Sequence, residues 1–254
     1  MNKNYLIIIT LVLVLQSCAS KKNVLYFQNA YNHAIEEITY PSVHVQVNDI
    51  LNIIVGSQMP ETSIPYNIQS LSGGISMNLE VLRLQGYLVA EDGTIDFPIL
   101  GKIDVVGKTI EGMESEIQRL LKEGGHLLNP TVNARILNSK VTVLGEVRVP
   151  GTYSFTEQNI TLPQALGYAG DLTINGERKD VLLIREENGI RTINHIDLTN
   201  ADWFSSPSYY IKSNDVIVVN PNNPKVKSAG FIGNTGTVIS VISLLLTSLV
   251  LITK

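Results

Sequence analysis

A run of 23 residues without a charged side chain, Phe231 to Thr253, limits what this chain can fold into more than any other feature. At about 1.5 Å per helical residue it reaches about 34 Å, enough to cross a bilayer core of roughly 30 Å. The expected element is a transmembrane helix over 231–253. The run is not uniformly apolar. Asn234, Thr237, Ser240, Ser243 and Thr247 recur every three to four residues as a weakly polar stripe, while Leu244, Leu245, Leu249, Val250 and Leu251 gather bulk toward the end. Ser and Thr return their hydroxyl bonds to the preceding turn, so a lone anchor tolerates them; the Asn234 amide needs other partners. Two readings stand: a single membrane anchor, or a helix that self-associates with its stripe toward a polar lumen. On periodicity alone, five positions make a weak stripe and the anchor is the simpler of the two.

The N-terminus carries the chain's one cysteine, Cys18, which excludes an intrachain disulfide framework and any CxxC metal site. Lys3, the apolar stretch Tyr5 to Leu15 and then Leu15-Gln16-Ser17 precede it, the order of a lipoprotein signal over residues 1–17 with acylation at Cys18. Gln16 departs from the small or aliphatic residue usual at its place, and an ordinary signal peptide with a stray cysteine is the other reading. The apolar stretch, about 11 residues, is too short to span a bilayer. A lipid at one end and a spanning helix at the other would hold both ends to one membrane and export everything between. Net charge is −4, so nothing favours nucleic acid as a partner.

Between the ends, residues 18–40 read as a polar tether with little structure of its own, in which Tyr26-Phe27 docks onto the body and His33 lies exposed. Val43 to Val55 alternates as two strands around an Asn48-Asp49 turn. Ser213-Asn214-Asp215 repeats that device before Val216 to Val219. Gly56 to Met77 reads as a long loop, Leu79 to Val89 as a strand, and Asp92-Gly93 as a hairpin turn into Ile95, Phe97 and Ile99. A helix is predicted from Thr109 to Glu123 with Thr109 as its N-cap, Ile110, Met113, Ile117, Leu120 and Leu121 inward, and Gly124-Gly125 at its end. A shorter helix is predicted over Thr161 to Ala169, with Pro163 in its first turn. Asn188-Gly189 joins two further strands. The fold class is α+β: two β-rich subdomains, 41–138 and 139–222, each with one helix, then a linker over 223–230 and the C-terminal transmembrane helix.

Two stretches carry a family resemblance. Gly86-Tyr87-Leu88-Val89-Ala90-Glu91-Asp92-Gly93-Thr94-Ile95-Asp96-Phe97-Pro98-Ile99-Leu100-Gly101, with the helix and Asn129-Pro130-Thr131-Val132 after it, is similar to the polysaccharide export domain. Val141 through Pro221 resembles a soluble-ligand-binding β-grasp (SLBB) domain at Val143, Gly145, Val147, Pro150, Gly151, Tyr153, Leu166 and Ala169-Gly170. With both ends, the chain resembles the Wza-like outer-membrane polysaccharide export family. The resemblance implies a homo-oligomeric ring whose C-terminal helices form an α-helical barrel across the outer membrane, with the body periplasmic and Cys18 acylated. It also implies outer-membrane lipid, the polysaccharide chain and an inner-membrane polysaccharide copolymerase as partners. On that basis the stripe Asn234, Thr237, Ser240, Ser243 and Thr247 is expected to line the lumen. Three departures stand out: one SLBB-like domain where long members hold two, Asn48 and Asn214 where Gly commonly precedes the turn Asp, and Asp171 in place of a second Gly after Ala169-Gly170.

No constellation supports catalysis or a cofactor. His33, His44, His126 and His195 are scattered, none at metal-ligand spacing, and Asp49, Asp92, Asp180 and Asp215 sit at turns. Trp203 and Tyr209-Tyr210 are of a kind that stacks on sugar rings or packs a core or interface. The expected function is a non-enzymatic conduit for capsular or exopolysaccharide. The alternative is an envelope-anchored scaffold that binds glycan or a partner and forms no pore.

Overall fold

The computed structural model describes residues 21–33, 35, 37–68, 79–187, 189–229 and 235–252. Two hydrophobic cores organise them. The first is built on β1 (Ile50–Gly56), paired antiparallel with β2 (Tyr87–Leu88) on one side and β5 (Thr131–Ile136) on the other. The hairpin of β3 (Thr94–Phe97) and β4 (Gly101–Asp104) adds to it. Its helices are α1 (Pro60–Ser63), α2 (Leu79–Gln85) and α3 (Ile110–Glu123). The predicted capping of α3 is present: Thr109 is extended, and its hydroxyl accepts the Gly112 N–H. Ile110, Met113, Ile117 and Leu121 are all buried on its inner face. Each contributes about 1.5–3 kcal/mol of transfer free energy.

Three expectations for this half are corrected. The strand predicted over Leu79 to Val89 is helical through Gln85. Six of those seven residues are unbranched at Cβ and favour a helix, and Glu80 pairs with Arg83 one turn on at 2.8 Å. The half predicted to hold one helix has three among the described residues, because Pro60–Ser63 in the predicted loop is helical as well. Finally, Val43 to Val47 forms only a single bridge, His44 opposite Thr109, because the Val45 backbone bonds go to Lys108 and Gly107 at the entrance of α3.

The second core holds β6 (Lys140–Gly145), β7 (Gly151–Ser154), β8 (Ile160–Thr161), α4 (Leu162–Tyr168), β9 (Gly176–Glu187), β10 (Ile190–Ile196), β11 (Tyr210–Ile211) and β12 (Val216–Pro221). Five strands form a sheet in the order β10-β9-β12-β6-β7, in which only the β12–β6 pair is parallel. The β6-to-β7 turn requires Gly145. Its φ is +90°, and a Cβ there would lie 2.0 Å from the Val219 carbonyl oxygen. Thr161 and Gln164 make a reciprocal capping box at the start of α4, and Leu162, Ala165, Leu166 and Ala169 are buried. At the junction between the cores Asn138 is held to the first, its Oδ1 accepting the Ile50 N–H and its Nδ2 donating to the Asn48 carbonyl, both at 2.9 Å. Arg83 reaches the second by donating from Nη2 to the Ser154 hydroxyl at 3.1 Å.

The C-terminal part differs from expectation. The predicted linker contains helix α5 (Asn223–Ser228), started by the Asn222 side chain accepting the Lys225 N–H, with Pro224 in the first turn. Helix α6 runs over Thr235–Ile252, 18 residues or about 27 Å. Among the described residues no helix is long and apolar enough to cross a membrane, so the transmembrane helix predicted over 231–253 is not seen as such. Residues 231–234 and 253 lie outside the described residues.

One buried ion pair ties the second core together. Arg185 on β9 donates from Nε and Nη2 to the Asp215 carboxylate at the head of β12, the shortest contact being 2.7 Å. Its Nη1 and Nη2 also donate to the carbonyls of Pro207 and Tyr210. Arg185→Met, which leaves the Asp215 carboxylate buried without its cation, is expected to cost about 3–5 kcal/mol in urea unfolding of the full chain. Adding Asp215→Asn should recover part of that loss. A cost below about 1 kcal/mol for the single variant would show that the pair is not the tie.

Candidate functional site

Both Asn–Asp turns use one local solution. Asn48 and Asn214 take φ of +68° and +69°, the left-handed region that Asn tolerates among non-glycine residues. The Asp that follows closes the turn, Asp49 accepting the Gln46 N–H and Asp215 the Lys212 N–H, each at 2.8 Å. Both carboxylates are buried. They differ in their surroundings, because Asp215 faces Arg185 whereas Asp49 has no ion pair among the described residues. Burial accordingly pushes the Asp49 carboxyl up to about 6.

Asp49 borders a cleft of about 680 Å³ that opens between the two cores. One wall is the crossing segment around Pro41 to Gln46. The facing wall is β9 and β10 with Glu187, Thr192 and Asn194, and the loop from Phe204 to Ser213 closes the end. The cations on this lining are already paired: Arg185 with Asp215, and Lys212 with both oxygens of Glu187 at 2.7 and 2.8 Å. At the rim Tyr210 lies half-buried against the exposed Tyr40, ring centroids 5.8 Å apart, and edge-on to Tyr209 at 5.0 Å.

The segment expected to be an unstructured tether is docked on the second core. It forms 3₁₀ turns at Lys21–Asn23 and Ala30–His33. Between them the Phe27 and Gln28 N–H groups donate to the carbonyls of Leu198 and Thr199. The predicted docking of Tyr26-Phe27 is present: Phe27 packs against Trp203 and Phe204, and the Tyr26 hydroxyl donates to Asp171 at 2.7 Å. Burial and the neighbouring carboxylate push the Tyr26 hydroxyl pKa up. Arg178 lies over its ring, 5.1 Å from the centroid. Asp171 itself has φ +70°, so the departure from Gly noted in the sequence keeps the left-handed turn and supplies the strap's acceptor. His33, expected to be exposed, is half-buried with Nε2 3.3 Å from Asp202.

The site residues predicted from sequence are elsewhere. Cys18 and Asn234 lie outside the described residues, as does the side chain of Thr237. Ser240, Ser243 and Thr247 are on α6, where Ser240 and Thr247 return their hydroxyls to the carbonyls of Gly236 and Ser243 at 2.8 and 2.7 Å. None of these residues borders the cleft. Trp203 packs in the core, its Nε1–H donating to the Asn200 carbonyl. Tyr210, from the same aromatic group, reaches the cleft. Among the described residues no group of three or more His, Cys, Asp or Glu is placed to hold a metal ion. Sequence reasoning missed the cleft's polar rim, whose members carry no periodic or spaced signal.

Because the folded state holds the Asp49 proton more tightly than the unfolded chain, this group favours folding most below its ordinary value near 3.8. Its contribution falls as pH rises through about 6. Asp49→Asn keeps an acceptor for Gln46. It should flatten the stability–pH curve between those values and raise stability at pH 7.5 by about 1–2 kcal/mol in urea titrations. Lower stability than wild type at both pH 4.5 and pH 7.5 would show that the carboxylate is held by something stronger than its turn.

Comparison with known proteins follows the two-core division. Residues 38–137 match the family described as polysaccharide biosynthesis/export protein, and residues 140–192 match the SLBB domain. The EPS I polysaccharide export outer membrane protein EpsA of Ralstonia nicotianae is 32% identical over 154 residues, 56% of this chain and 38% of the relative. EpsA of Ralstonia solanacearum is 27% identical over 202 residues, 77% of this chain and 52% of the relative. The capsule polysaccharide export outer membrane protein CtrA of Neisseria meningitidis serogroup A is 24% identical over 195 residues, 75% of this chain and 48% of the relative. The chain thus spans about two fifths to one half of the length of these curated relatives. With an export domain followed by an SLBB domain, in the order of the two cores, the chain belongs to the outer-membrane polysaccharide export family.

Proposed function

We propose that this protein is a non-enzymatic component of a polysaccharide exporter at the outer membrane, a subunit of a ring that conducts capsular or exopolysaccharide. The observation that carries this reading is the succession of export and SLBB domains in a chain that is similar to relatives named as polysaccharide export outer membrane proteins. In this reading the uncharged run from Phe231 to Thr253 spans the membrane, and copies of it surround a lumen lined by Asn234, Thr237, Ser240, Ser243 and Thr247. Cys18 carries the lipid. Lys21 starts the docked strap, and three residues reach about 10 Å at most, so the lipid would hold the SLBB core close to the membrane. The chain's further partners would be outer-membrane lipid, the polymer itself and an inner-membrane polysaccharide copolymerase. The second reading is an envelope-anchored scaffold that forms no pore.

Particle images of the full chain in mild detergent separate the two, since a closed ring supports the conduit and a strict monomer supports the scaffold. In the ring, Ser243→Asp should still insert and assemble while altering export. Leu249→Asp, facing lipid, should lose insertion at a cost of roughly 2.5–3.5 kcal/mol. Equal behaviour of the two variants would remove the lumen assignment. Fatty-acid labelling should disappear in Cys18→Ala, and labelling at the wild-type level would reject acylation at that residue.

A further inference from the structure

The cleft between the two cores has features that the conduit does not use. Four side-chain amides border it, Gln46, Gln158, Asn159 and Asn194, and none makes a side-chain hydrogen bond among the described residues. Asn194 and Gln158 are exposed; Gln46 and Asn159 are half-buried. An amide offers donors and acceptors together, so four around one opening suit a ligand that is dense in hydroxyl groups. Tyr210, with Tyr40 beside it, provides an aromatic face at the same rim, able to take the C–H face of a ring while its hydroxyl stays wet. The volume, about 680 Å³, is in the range of small-ligand sites. The charges bear on the class of ligand. Arg185 and Lys212 are each committed to a carboxylate, and the Asp49 carboxylate has no cation among the described residues. An anionic ligand would meet carboxylates and no free cation, whereas a neutral one would meet amides and a ring face.

We infer that this cleft binds a short segment of neutral oligosaccharide, apart from any lumen, with Tyr210 as stacking platform and Gln158 and Asn194 as hydrogen-bonding partners. The inference takes the chemical class of its ligand from the export reading, but it does not require a ring. A bound segment would be held at the junction of the two cores, so occupancy would be sensitive to the angle between them.

The test uses the full chain in mild detergent with two probes, a neutral isomaltohexaose and an anionic hexagalacturonate. Their binding is followed by saturation-transfer NMR, with oligomeric state measured by mass photometry on the same sample. Transfer to the neutral probe is expected, with affinity weakened about tenfold by Tyr210→Ala and by the exposed double variant Gln158→Ala/Asn194→Ala. The double variant keeps the test valid if Tyr210→Ala disturbs β11. No transfer to the neutral probe, transfer unchanged in the double variant, or transfer to the anionic probe alone would each overturn the inference. Protection of the cleft amides from hydrogen exchange only in an oligomer, with no sugar bound in any state, would show that a second copy fills the cleft, and would overturn it too. A monomer that binds the neutral probe would refute the conduit and uphold the cleft.

Discussion

The buried pair of Arg185 and Asp215 is the interaction on which the second core and the cleft both depend. Taking two charges out of water is costly, and the cost is offset only where geometry is good and the remaining donors are satisfied. Here Arg185 meets that condition by bonding Asp215 through two nitrogens and reaching the carbonyls of Pro207 and Tyr210. Three pieces of chain distant in sequence are thereby joined: the C-terminal end of β9, the turn that launches β12, and the loop that carries Tyr210 to the cleft. The pair adds less to net stability than to position. Its removal would release the loop and with it one wall of the cleft.

The two Asn–Asp turns show how one local motif acquires different energetics from its surroundings. Backbone conformation and capping are the same at Asn48-Asp49 and Asn214-Asp215. Only the tertiary neighbour differs. Burial raises both carboxyls, but at Asp215 the arginine opposes it, while at Asp49 only the Gln46 N–H does and the carboxyl rises to about 6. The export core therefore carries a weakly solvated acid at its seam with the SLBB core, where Arg83 reaches across to the Ser154 hydroxyl.

The docked strap changes how an N-terminal tether would work. A flexible tether lets a body wander from its anchor, whereas residues 21–33 are held by backbone bonds, by Phe27 in the aromatic cluster and by Tyr26 on Asp171. Pulling on such a strap would load the SLBB core directly. The use of Asp at position 171 fits this arrangement, since Gly would meet the backbone requirement but leave the Tyr26 hydroxyl without its acceptor.

The elements that could be read from the sequence are those whose determinants lie within a few residues. The N-cap at Thr109, the inward face of α3, the short helix begun by Pro163 and the β9–β10 hairpin are local in this sense, as are the Asn-Asp turns. The family was legible for a similar reason, because its signature is turns, glycines and β-branched strands in a fixed order. Leu79 to Gln85 was misread because a short apolar run fits either a strand or a helix, and the Glu80–Arg83 pair with unbranched side chains decides for the helix. The strap could be suspected from Tyr26-Phe27, but its partners Asp171 and Trp203 lie more than a hundred residues away. The cleft was not legible at all. Its rim is assembled from segments near Gln46, Gln158, Asn194 and Tyr210, which have no common spacing, and only the folding of two cores against each other sets four polar amides around one opening.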